Sequence, residues 1–135
     1  MELAILGLLI SLVSPIFLLP IEKLLPYPYF IEEAVKLVVV LLIIKSEVET
    51  KKSLLALVFL GGILFTLSES VFYLVNIFAL GDLMVFPKRL VLTGGLHTWT
   101  AMSMYFLSRK SYLGLMAGFI GAVVIHYFFN LWVVG

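Results

Sequence analysis

The chain has 135 residues, 63% hydrophobic and 13% charged, with a formal charge of +1 and a mean hydropathy of +1.20. Soluble domains are about 45–50% apolar and 25% charged, so this composition predicts an integral membrane protein with the lipid bilayer as its surroundings. It argues against nucleic acid as a partner, for want of a basic run, and against a disulfide or cysteine-zinc framework, since cysteine is absent.

Five apolar stretches follow in chain order. The first, Leu3–Leu19, has Glu2 before it instead of basic residues, contains Pro15, and runs into Pro20 instead of a small-residue cleavage site. It is predicted to be a retained helix and not a signal peptide. The second, Ile31–Ile44, is short for a span of roughly 17–25 residues. It reaches that length only if Glu32, Glu33 and Lys36 sit inside or at the edge of the apolar layer. The third, Ser53–Leu80, is long enough to tilt or overrun, and Thr66, Glu69, Tyr73 and Asn76 mark one of its faces at helical spacing. On the fourth, Leu90–Leu107, with Arg89 just ahead of it, the matching stripe is Arg89, Thr93, His97, Thr100 and Ser103. The fifth, Tyr112–Val134, carries His126 and Asn130, and earlier Gly114, Gly118 and Ala122 form a small-residue seam that admits a neighbouring helix.

The connectors Ile21–Phe30, Lys45–Lys52, Gly81–Arg89 and Ser108–Ser111 are short and hold most of the charge, and none divides the chain. The expected fold is therefore all-α: one domain over residues 1–135, a polytopic membrane bundle of about five transmembrane helices. Lys45, Lys51, Lys52, Arg109 and Lys110 share the side of the amino terminus, against Lys23, Lys88 and Arg89 on the other. The positive-inside rule then predicts a multi-pass cell-membrane protein with a cytoplasmic amino terminus.

Glu32, Glu33, Glu69, His97, His126 and Asn130 are the side chains such a bundle tolerates least. Threading the spans alternately puts all six in one leaflet, the external one on this topology. Each has a plain structural reading: the Glu pair as interfacial charges with Lys36 as ion-pair partner, each His as an interhelical hydrogen bond, Tyr73, Asn76 and Thr100 as supporting bonds. Trp99 and Trp132 read as packing or belt residues. All those readings must hold at one depth, which favours a site.

At these residues the chain resembles the PrsW family of intramembrane proteases, within the wider superfamily of CAAX-processing and bacteriocin-processing-related enzymes that also includes the polytopic scaffold subunit of gamma-secretase. Glu32-Glu33-Ala34-Val35-Lys36 looks like the family's Glu-Glu-x-x-Lys, Glu69 to Tyr73 like its Glu-x-x-x-Tyr, and His126 to Asn130 like its His-x-x-x-Asn. His97 with Trp99 and Thr100 is the remaining match. Leu37 and Thr93 stand where the CAAX-protease variant has Arg and Phe, and Ser103 where a Gly is common. The resemblance implies an endopeptidase acting on a membrane-anchored protein substrate.

Peptide hydrolysis needs an activated water, a stabilised oxyanion and a protonated leaving amine. In a metal-free scheme Glu33, or its neighbour Glu32, is the general base and Lys36 fixes the pair. His126 and Asn130 donate to the oxyanion, while His97 and Glu69 position water or share the proton. In the alternative scheme zinc is the cofactor, held by His97, His126 and Glu69, with Glu33 as base. The compact His-Glu-x-x-His helix of soluble zinc proteases is missing. Two readings from other classes remain: a non-catalytic scaffold that binds a partner transmembrane helix, and a small transporter or proton relay.

Overall fold

The computed structural model describes residues 1–22, 24–48, 50–80 and 84–134, without the side chains at 19, 22, 76–80, 85, 133 and 134. The described chain is all-helical: α1 Glu2–Glu22, α2 Pro28–Lys45, α3 Lys51–Leu80, α4 Val85–Ser108 and α5 Tyr112–Val134. Each helix corresponds to one expected apolar stretch, with its ends shifted by local chemistry. Pro28 opens α2 three residues before the apolar run, because a first-turn proline lacks only an N–H that has no helical partner there. That early start puts Glu32, Glu33 and Lys36 inside the helix. Ser46 closes it, with its backbone N–H and its hydroxyl both donating to the Ile43 carbonyl. Thr50 caps α3 by accepting from the Ser53 N–H at 3.1 Å, and Ser111 caps α5 by accepting from the Gly114 N–H at 2.9 Å.

Helix α2 lies at the centre and packs against all four others. Around it α1 meets α3, α3 meets α4 and α4 meets α5, while among the described residues α5 touches neither α1 nor α3. Two close approaches set the register of α4. A Cβ on Gly62 would stand 2.7 Å from the Thr98 Cα, and one on Gly118 would stand 2.9 Å from the Met104 Cα. Only glycine lets the backbones come that near.

The inward face of α2 changes character along its length. Glu32, Glu33 and Lys36 occupy its first turns, and Val39, Val40 and Ile43 continue the same stripe at spacings of three and four. The apolar half packs with Val58, Ala101, Met104, Tyr105, Leu115, Phe119 and Ala122 into one core. The polar half is therefore roofed by α3, α4 and α5 at one end of the bundle. On the outside, large apolar side chains are exposed on every helix, among them Phe17, Val38, Phe59, Trp99 and Phe128. Among the described residues two helices, over Lys51–Val75 and Tyr112–Trp132, are long and apolar enough to cross a membrane, and Glu2–Leu18 is a shorter apolar helix.

Candidate functional site: a buried carboxylate, lysine and histidine cluster

Glu33 is the hub. It is fully enclosed, and its Oε1 accepts from Lys36 Nζ at 2.5 Å and lies 2.8 Å from His126 Nδ1. The first bond follows from helix geometry, since residues three apart share a face. The second joins α2 to α5. Glu33 Oε2 is buried and has no hydrogen-bond partner among the described residues. With none of the described residues bonded to it, this oxygen is open to a water or a substrate proton.

Lys36 reaches across to α4. Its Nζ lies 2.7 Å from His97 Nδ1 and donates to Thr100 Oγ1 at 3.3 Å, with the Phe65 ring 5.2 Å away. An ammonium can only donate, so Nδ1 of His97 accepts and the ring proton is on Nε2. That N–H points at Glu69 Oε2 on α3, at 2.5 Å. Both ring nitrogens of His97 are therefore engaged, one with a lysine and one with a carboxylate. His126 is held differently. Its Nδ1 faces Glu33 and its Nε2 lies 3.6 Å from Glu32 Oε2, so each ring nitrogen looks at a carboxylate.

Five of the six leading sequence candidates thus come together: Glu32, Glu33, Glu69, His97 and His126. Asn130 is half-buried one turn beyond His126 and makes no hydrogen bond into the cluster among the described residues. Of the supporting residues, Lys36 and Thr100 are inside the network. Tyr73 is a hydrogen-bonding neighbour of Glu69, and the Arg89 guanidinium lies over its ring at 3.5 Å. The side chain of Asn76 lies outside the described residues.

The structure also adds aromatic walls that spacing did not single out. Phe65 stacks on His97 at 4.9 Å, and the rings of His97 and His126 stand 5.5 Å apart, edge to face. Tyr29, in the first turn of α2, lies 6.3 Å from His126 and 5.5 Å from Tyr127, ring centre to ring centre. Phe65 precedes Glu69 by one turn, so its face was readable, but nothing in its type distinguishes it from a core phenylalanine.

The His and acidic residues whose ligand atoms all lie within 4.8 Å of one another are Glu32, His97 and His126. This set replaces the expected Glu69 by Glu32, because Glu69 stands behind His97 on its Nε2 side. Chemically, the cluster combines a carboxylate with one unengaged oxygen, a neutral imidazole, a cation and a second imidazole between two acids. Comparison with protein-family models, with curated proteins and with solved structures finds no match to this chain.

Proposed function

We propose that the chain is a multi-pass membrane protein with an intramembrane endopeptidase centre, cutting a membrane-anchored protein by a metal-free, glutamate-based hydrolysis. The observation that carries this reading is Glu33: a fully buried carboxylate with Oε1 clamped by Lys36 and His126, and Oε2 without a hydrogen-bond partner among the described residues. A general base needs one oxygen fixed and the other free for the proton it takes. The apolar exterior of all five helices supports a lipid setting for the whole bundle.

In this reading Glu33 Oε2 takes a proton from a water whose oxygen bonds to the scissile carbonyl carbon. The oxyanion is met by His126 and by Asn130, which share a face of α5. The C–N bond then breaks, and the proton passes to the leaving nitrogen. Lys36 keeps the carboxylate of Glu33 in place, and Glu69 holds the His97 ring through its Nε2–H, so both are positioning residues. The PrsW-like motif order found in the sequence points to the same reaction class.

One observation favours a second reading, a scaffold that receives a partner helix. An apolar groove of about 500 Å³ runs between α3 and α4, bordered by Phe59, Ile63, Leu67, Val91, Trp99 and Met102. The two readings separate in one experiment. Wild type and Glu33→Gln are reconstituted in liposomes with a membrane-protein extract, and new amino termini are mapped by mass spectrometry. The protease reading expects termini present with wild type and absent with Glu33→Gln. Identical termini in both samples would leave the scaffold.

A further inference from the structure

Lys36 Nζ sits among Glu33 Oε1, His97 Nδ1 and Thr100 Oγ1 at 2.5, 2.7 and 3.3 Å. Three acceptors for the three protons of an ammonium make a fitted cation seat. One of these acceptors, His97, also belongs to a second set: among the described residues Glu32, His97 and His126 bring ligand atoms within 4.8 Å of one another. Two imidazoles and a carboxylate, all buried, are the donor set of an open zinc-type site. The surroundings of His97 fit as well. Metal-binding histidines donate their other ring N–H to a carboxylate, and His97 does so to Glu69 at 2.5 Å.

What this set lacks is a free lone pair on His97. Nδ1 is occupied by the lysine, and Nε2 carries the proton given to Glu69. A metal at about 2.0–2.2 Å from a ring nitrogen and an ammonium at hydrogen-bond distance cannot share one lone pair.

We propose that Lys36 is a built-in substitute for a metal ion: its ammonium takes the His97 lone pair that a divalent transition metal held with Glu32 and His126 would need. The unsubstituted chain is closed to such ions, and removing the ammonium opens a zinc-class site. This inference rests on the ligand geometry and not on proteolysis, so its test reads binding and not cleavage.

The test uses the full chain purified in detergent, with Co(II) as the optical probe and Zn(II) for stoichiometry by equilibrium dialysis. Wild type is expected to bind neither ion at the cluster. Lys36→Ala and Lys36→Met are expected to bind about one ion per chain with the absorption of a four-coordinate site, and to lose it when Glu32→Gln or His126→Ala is added. Zinc should also raise the unfolding temperature of the lysine variants and leave that of wild type unchanged, because a ion that binds only the folded state stabilises it. Folded lysine variants that bind nothing would overturn the proposal. So would wild type that takes up one ion. The chain has only two histidines, so a ¹⁵N-histidine spectrum of wild type keeps the question decidable even if both lysine variants fail to fold. Zinc that leaves both rings unshifted supports the closed seat, and zinc that moves the His97 nitrogens refutes it.

Discussion

Glu33 and Lys36 stand one turn apart on α2, both enclosed by protein, and each is the other's principal counter-charge. Removing one partner of a buried pair leaves an uncompensated charge, at a cost of about 3–5 kcal/mol, whereas replacing both by apolar groups is often close to neutral. Glu33→Leu and Lys36→Met are each expected to destabilise the protein by that amount, and the double variant by much less than the sum. Denaturant unfolding in micelles, followed by circular dichroism, measures the cycle. The pairing within α2 was legible in the sequence, since a spacing of three fixes the shared face. The pairing between helices was not. Spacing put Glu69 and His97 at one depth, but that Glu69 sits behind His97, leaving Glu32 as the acid nearest both rings, depends on the register of α3 against α4. Asn130 shows the opposite limit. It shares the face of His126, yet it makes no hydrogen bond into the cluster among the described residues, because sharing a helix face does not by itself bring a side chain to the same partners.

At the scale of the helices, the register comes from glycines. Gly62 and Gly118 each face the backbone of α4, at Thr98 and Met104, and a backbone cannot swing aside as a side chain can. Gly62→Ala and Gly118→Ala are therefore expected to push the helices apart and cost about 1–3 kcal/mol each, the scale of overpacking. Gly95 and Gly121 are the controls, since nothing lies within 4 Å of an added Cβ there. Alanine at those positions is expected to be neutral or to stabilise by up to about 1 kcal/mol through helix propensity. Thermal unfolding of the four variants side by side checks the contrast. The seam through Gly114, Gly118 and Ala122 was visible as small residues one turn apart. Gly62 was not, because a Gly pair inside an apolar stretch gives no sign of which glycine meets a neighbour. Helix existence was legible from the apolar runs alone, while the start of α2 was missed by three residues because Pro28 reads as a breaker until it is seen to occupy the first turn.

For the whole molecule, helix alternation brings Met1, Glu2, Lys45 and Glu47 around one recess, and the Tyr105 hydroxyl near the end of α4 donates to the Lys51 carbonyl. The amino terminus, the α2–α3 connection and the α4–α5 connection thus share one end of the bundle, and the polar cluster lies toward the other. A chain without cysteine allows single-cysteine reporters with no background. With a membrane-impermeant maleimide on intact cells, Leu24→Cys is expected to be labelled and Lys110→Cys to be protected until the cells are opened. Equal labelling of both would refute the orientation that the positive-inside rule assigns. Composition pointed to a membrane setting, with which the two helices long and apolar enough to cross one are compatible, and alternation made the common end of the polar residues legible. That the four other helices pack around α2, so that its charged first turns become buried within the bundle, is a property of packing and had no counterpart in any one segment.

The most direct measurement is the single-turnover cleavage rate of one substrate from the liposome experiment, with wild type and with Glu33→Gln at equal folded amounts. Loss of a general base lowers such a rate by about 10²–10⁴-fold, and that drop is predicted with the helical spectrum unchanged. A Glu33→Gln protein that cleaves at the wild-type rate would contradict the assignment of Glu33 as the base, and with it the hydrolytic reading of the cluster.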